Sequence, residues 1–252
     1  MLPVEFLKRP LAHRGFHDVR KGLPENSHAA ILAAMERGFG IEIDVQLTAD
    51  QQALVFHDYA LERLTGARGN VRDRTLKDMS TIPLIGGKSG APSLAEVLGL
   101  VAGAVPLLIE LKDQDGALGE NVGALEAAVA HALDGYKGPV AVMSFNPHAV
   151  SAMQTLAPDV PRGLTTEDFA PGHWEADATR LAELSAIVDY DRVGACFISH
   201  NRRHLGSDRV AELKARGANI LCWTVTSPEE EADARKVAEN ITFERYLPEV
   251  PT

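Results

Sequence analysis

The 252-residue sequence is 45% hydrophobic and 24% charged, with a formal net charge of −10, a composition that supports a buried core and excludes a disordered chain. The acidic balance and the absence of a basic stripe exclude an extended nucleic-acid footprint, and no stretch approaches the roughly 18 apolar residues of a membrane span. Only Cys196 and Cys222 occur, each in an apolar, strand-like run, so a disulfide framework and a four-cysteine zinc site are both excluded.

Read in chain order, "MLPVEFLKRP" lacks the apolar run of a signal peptide, and the expectation is a cytoplasmic protein with no stable membrane insertion. Strand candidates follow at 11–15, 40–48, 53–58, 106–112, 140–145, 162–166, 196–200, 220–226 and 241–246. Between them, helical spacing marks 26–38, 93–103, 117–134, 147–157, 174–188, 207–217 and 228–239, several opened by Ser or Asn before Pro or acidic residues. Setting 53–58 aside as a return strand outside the main sheet leaves eight core strands and seven helices. That βα alternation predicts an α/β fold of the TIM (β/α)8 barrel type, one domain over 1–252, with residues 59–92 inserted after the second strand. An open doubly wound sheet is the alternative, but the first βα turn has no Gly-x-Gly-x-x-Gly and the polar residues gather at many strand ends.

The chemistry is concentrated early. In "IEIDV", alternation puts Glu42 and Asp44 on one face, about 6 to 7 Å apart. A barrel strand is buried on both faces, so two inward acids need a cation or a hydrogen-bond network; an acidic pair solvated at a sheet edge is the alternative. "LLIELK" places Glu110 and Lys112 on one face. Three acids make a hard-cation site suited to Mg²⁺ or Ca²⁺, the alternative being an internal Glu110–Lys112 ion pair. In "LVFHD", His57 returns toward the acids after a short turn, and His13 ends the first strand. Two near-neutral imidazoles provide the base and the acid that displacement at a phosphodiester requires. His200 and His204, in "ISHNRRH", are candidate rim contacts, beside Arg202 and Arg203 as surface cations. His17, His28, His131, His148 and His173 read as ordinary loop or helix histidines.

Taken together, "HRG" at 13–15, "PENS" at 24–27, "EIDVQLTAD" at 42–50 and "FHD" at 56–58 resemble the glycerophosphodiester phosphodiesterase family. "IELK" at 109–112, "SF" at 144–145 and "CWTV" at 222–225 continue the likeness in order. The resemblance implies a TIM barrel that hydrolyses glycerophosphodiesters, small-molecule substrates, to sn-glycerol 3-phosphate and an alcohol such as choline or ethanolamine. It implies Glu42, Asp44 and Glu110 as ligands of a divalent cation, Mg²⁺ or Ca²⁺, and His13 and His57 as the acid/base pair. Arg14 and Lys112 resemble phosphate-binding cations, Trp223 a wall on the glycerol side, and Glu25 and Asn26 residues that brace or line the mouth. The mechanism it implies is attack by the neighbouring glycerol hydroxyl, through a cyclic phosphate.

Two departures from the family pattern stand out. The turn Ala49-Asp50-Gln51-Gln52 lacks Asp-Gly, so a different construction is expected there, and "ENITFERYLPEV" lacks the Asp-x-Pro of the last strand. Alternative activities are a lysophospholipase D or a sphingomyelinase D-like phosphodiesterase, and a phosphodiester-binding module without turnover. The polar, Gly-rich 59–92 segment weighs against the lipid substrates, and the two histidines against the module. The sequence leaves the head group, the preferred ion and the oligomeric state open.

Overall fold

The computed structural model of the protein describes residues 1–170, 172 and 174–249. Its strands are β1 (Leu11–Ala12), β2 (Gly40–Leu47), β3 (Ala53–Val55), β4 (Leu107–Leu111), β5 (Val140–Ser144), β6 (Arg162–Thr166), β7 (Phe197–Asn201), β8 (Asn219–Val225) and β9 (Asn240–Phe243). The helices are α1 (Glu5–Lys8), α2 (His28–Glu36), α3 (Glu62–Thr65), α4 (Leu76–Thr81), α5 (Leu94–Val101), α6 (Ala124–Leu133), α7 (Pro147–Leu156), α8 (Ala178–Ser185), α9 (Asp208–Ala215) and α10 (Pro228–Ala234).

Eight parallel strands run in the order β1-β9-β8-β7-β6-β5-β4-β2, and β1 pairs with β2 as well, which closes the sheet into a (β/α)8 barrel. The ninth strand, β3, pairs antiparallel with the far end of β2, Val45 to Leu47, and lies outside the ring as the sequence pattern predicts. Closure removes every free edge from the parallel sheet.

Alternation divides the side chains into two layers. Ile41, Ile43, Val45, Leu107, Ile109 and Leu111 point outward and join the principal core against the helices. Leu11, Leu108, Ala141, Met143, Phe197 and Leu221 form a separate inner cluster with Leu2 and Phe6 from the amino-terminal segment. The unforeseen helix α1 is the source of Phe6, and Asn240 ties it down by donating Nδ2 hydrogens to the carbonyls of Phe6 and Arg9, 2.6 Å each. The inner layer is therefore apolar at the amino-terminal ends of the strands and acidic toward the carboxyl ends, where TIM barrels keep their reactive groups.

Several elements are shorter than the periodicity predicts, each for a local reason. β1 stops at Ala12 because Arg14 and Gly15 take positive φ values of 55° and 77°, turning the backbone across the barrel mouth. β3 stops at Val55, where the Phe56 N–H turns to the Asp44 carbonyl. The predicted helix at 117–134 starts only at Ala124: Leu118 adopts φ 53° with its N–H on Asp113, and Gly123 adopts φ 122°. The predicted helix at 228–239 ends at Ala234.

The stretch 59–92, irregular by sequence, contains α3, α4 and a 3-10 turn at Val71–Asp73, packed around Leu54, Phe56, Leu61, Leu64, Met79 and Leu84. The turn without Asp-Gly is built by Gln51 itself at φ 57°, with Thr48 and Gln52 paired across it and the Thr48 hydroxyl donating to Asp50. No helix among the described residues is long and apolar enough to cross a membrane.

Candidate active site

Strand pairing assembles the acids. Glu42 and Asp44 share the inner face of β2, and the register places Asp44 beside Glu110 of β4. All three are buried, and one carboxylate oxygen from each lies within 4.8 Å of the others. Oxygens on opposite sides of a bound Ca²⁺ would stand about 4.8 Å apart at ordinary bond lengths. The set is thus compact enough, and of the hard oxygen type, to hold such an ion.

The positive charges are distributed unevenly around these acids. Lys112 Nζ is 2.7 Å from Glu110 Oε1 and 3.5 Å from Asp44 Oδ1. Arg14 Nε is 3.3 Å from Asp44 Oδ2, while the Arg14 backbone N–H donates to Glu42 Oε2 at 3.0 Å. Burial alone would raise the Asp44 carboxyl, but Lys112, His57 and Arg14 outweigh it and hold this group well below the usual carboxylate range. Glu42 is pushed the other way, by burial first and then by Asp44 and Glu110. Lys112 is raised in turn, because its acidic neighbours overcome the burial that would lower it.

The Pro24-Glu25-Asn26 turn braces these groups. Asn26, at φ 57°, donates Nδ2–H to Asp44 Oδ2 at 2.9 Å and accepts from the Asp44 backbone N–H at 3.3 Å. Ser27 caps α2 by accepting from the Ala30 N–H, a contact typically worth about 1 kcal/mol. Glu25 accepts from Arg14 at 2.7 Å and from two Arg63 nitrogens at 2.8 and 2.9 Å. Arg63, on α3, also grips Asp58 through Nε and a terminal nitrogen, 2.6 and 2.7 Å.

Each imidazole has its own carboxylate. His57 Nδ1 is 2.7 Å from Asp58 Oδ1, and His57 Nε2 is 3.2 Å from Lys112 Nζ. Because the ammonium is only a donor, the contacts assign the His57 proton to Nδ1 and the lone pair to Nε2. His13 Nδ1 is 3.0 Å from Glu244 Oε2, with His13 Nε2 4.0 Å from Glu42. Burial lowers the His13 pKa, only partly opposed by Glu244. Such imidazole–carboxylate pairs fix the ring and the tautomer.

A chamber of about 130 Å³ at the mouth is lined by His13, Arg14, Glu42, Asp44, His57, Glu110, Lys112 and Trp223. Trp223 is held by its Nε1–H on the Ser199 carbonyl, 2.9 Å, and edge-on to Phe145 at 5.5 Å. Asn26 lies behind Asp44 and Glu25 behind Arg14, so of the ten residues singled out by sequence these two support the chamber's lining from outside it.

Sequence reasoning missed Glu244 and Arg63. Glu244 directly follows β9, and an acid at the carboxyl end of the last strand was a usable signal; Arg63 had none. His17, read as ordinary, stands 3.5 Å from Glu244. His200 is no rim contact: it is buried, bonded through Nδ1 to Thr166 Oγ1 at 2.8 Å, and its pKa is lowered by burial to about 4. His204 faces Asp168 at 3.5 Å, and Arg202 binds the Thr224 carbonyl and Glu230. His173 lies outside the described residues. Cys222 is buried and Cys196 half-buried, both as free thiols.

Comparisons with known proteins agree on one likeness. The family model described as "Glycerophosphoryl diester phosphodiesterase family" matches residues 13–241. A glycerophosphodiester phosphodiesterase of Caldanaerobacter subterraneus subsp. tengcongensis is 34% identical over 230 residues, covering 87% of this chain and 86% of its own. YhdW of Bacillus subtilis is 30% identical over 227 residues, covering 86% of each. Among solved structures, an Oleispira antarctica phosphodiesterase in complex with the product sn-glycerol-3-phosphate superposes with a TM-score of 0.77 at 21% identity, covering 96% of this chain and 93% of that one.

Proposed function

The chain belongs to the glycerophosphoryl diester phosphodiesterase family, and from that premise we propose that it hydrolyses glycerophosphodiesters to sn-glycerol 3-phosphate and a free alcohol with the help of Mg²⁺ or Ca²⁺. One observation carries the reading: two imidazoles, each backed by a carboxylate, flank three clustered acids and two cations in one chamber. The product bound to the Oleispira phosphodiesterase of the same fold supports the choice of substrate. Residues 1–252 are read as one domain in which 59–92 is an insertion.

Glu42, Asp44 and Glu110 would hold a divalent cation, and when bound it would supply a Lewis acid to offset charge on the phosphoryl oxygens. The Arg14 guanidinium and the Lys112 ammonium bind the non-bridging oxygens, preorganised by Glu25 and Glu110 to receive the charge that grows there. The glycerol hydroxyl next to the phosphate attacks phosphorus as one of the histidines, His13 or His57, takes its proton. The other histidine protonates the departing alkoxide, and the P–O bond to the alcohol breaks. A five-membered cyclic phosphate results; the two histidines then exchange roles as water opens it. Trp223 packs against the glycerol carbons and keeps water off that side.

The experiment is direct. Purified protein is incubated with glycerophosphocholine and either Mg²⁺, Ca²⁺ or EDTA, and glycerol 3-phosphate is assayed. Cation-dependent release that disappears in His13→Ala and His57→Ala supports the reading. Binding without release by the cation-loaded protein would falsify it.

A further inference from the structure

The chamber does not end at His57. His57, Glu110, Lys112 and Phe145 also line a second cavity of about 400 Å³, and this one shares Tyr59 and Trp174 with a third of about 430 Å³. Through these shared walls the three adjoin one another as successive sections of a groove beside the barrel mouth, and each outer section is more than three times the size of the inner chamber. Its sides come from separate segments: Tyr59, Asn70 and Arg72 from the 59–92 insertion, Gln114 and Asp115 from the loop after β4, and Trp174 from the loop after β6.

Resting on the function proposed above, the geometry points to this groove as the subsite for the departing alcohol, shaped for a neutral or cationic alcohol carrying a ring-sized apolar body. Three observations support it. Position comes first: Trp223 bounds the inner chamber of about 130 Å³, and the outer sections adjoin that chamber on the His57 side. Lining comes second. Phe145 and Trp174 stand 5.0 Å apart as a tilted pair, Trp223 extends that aromatic wall inward, and Tyr59 leaves 47% of its surface exposed beside the same opening. A side chain of that size left uncovered has apolar area available to a ligand.

Charge is the third observation. Asp58, Glu110, Asp113, Asp115 and Glu175 outnumber Lys112 and Arg72 along the groove, so an anionic leaving group is repelled. A two-carbon alcohol would leave most of the groove filled with water. Covering a ring between Tyr59 and Trp174 would instead contribute roughly tenfold to kcat/KM.

The test uses glycerophosphoryl esters of ethanol, benzyl alcohol and 4-carboxybenzyl alcohol, with kcat/KM read from glycerol 3-phosphate release in the presence of Mg²⁺ or Ca²⁺. The benzyl ester should exceed the ethyl ester by about tenfold, and the carboxylate should remove that advantage. Tyr59→Ala, at an exposed position that folding tolerates, and Trp174→Ala should each reduce the benzyl-to-ethyl ratio by about fivefold or more. Equal constants for all three esters, or a ratio unmoved in both variants, overturn the groove proposal and leave the hydrolase reading intact. No release from any ester overturns the hydrolase reading and the groove with it.

Discussion

Glu244 Oε2 stands 3.0 Å from His13 Nδ1, so the imidazole at the first strand is oriented by a carboxylate that follows the last, 231 residues away. Replacing Glu244 by Gln keeps the shape and removes the charge that stabilises a protonated His13. kcat for glycerophosphodiester hydrolysis should fall roughly 10- to 100-fold, the usual cost of losing such a partner, with little change in the thermal midpoint. A kcat within twofold of wild type would show that His13 needs no such partner.

Arg63 should behave as a positioning residue. One guanidinium holds Asp58, which orients His57, and Glu25, which holds Arg14. Arg63→Ala is expected to lower kcat and raise KM together, by about 10-fold or more in kcat/KM. Arg63→Lys should recover only part of this, because an ammonium cannot reproduce the two-sided fork. Full recovery with Lys would reduce the role of Arg63 to a simple charge.

Cation binding should release protons. Glu42 is held above the ordinary carboxylate range by burial and by its acidic neighbours, so it keeps its proton to higher pH than an ordinary carboxyl, and a divalent ion bound there competes with that proton. Titration calorimetry in buffers of different ionisation enthalpy should report a fraction of a proton released per ion, and affinity that rises with pH. Glu42→Gln should abolish the release. An enthalpy independent of buffer would contradict the assignment.

Acid should weaken the fold through His200, which does not line the chamber. Its folded pKa of about 4 lies below the ordinary 6.5 because burial disfavours the charged ring. The unfolded chain therefore binds the extra proton first: stability declines as pH falls from about 6.5 and the loss is complete below about 4. The full effect is on the order of 3 kcal/mol. Urea midpoints at pH 7 and 4.5 should separate more for wild type than for His200→Asn, and parallel shifts would argue against it.

The barrel was legible because buried parallel strands read as short apolar runs, and "IEIDV" and "LLIELK" carry charged residues at alternate positions, Glu42 and Asp44 in one and Glu110 and Lys112 in the other, that share one face. The acidic cluster followed from that alternation, since the Asp44–Glu110 register brings β2 and β4 together. What escaped was set by tertiary contact. Glu244 acquires its meaning only from the closure of β1 against β9, and Arg63 only from the docking of α3 on the Pro24-Glu25-Asn26 turn. Arg14 at φ 55° has no signature in local sequence: its backbone turns because Glu42 accepts the N–H there.

The seam between β1 and β9 also governs when the molecule becomes competent. During translation His13 emerges 231 residues before the carboxylate that orients it, which follows β9. A nascent or proteolytically clipped product lacking that strand keeps its acids and its arginine but leaves the ring of strands open and His13 unanchored. Hydrolysis is thereby coupled to synthesis of β9 and Glu244, and a fragment supplying them in trans becomes the natural candidate for restoring it.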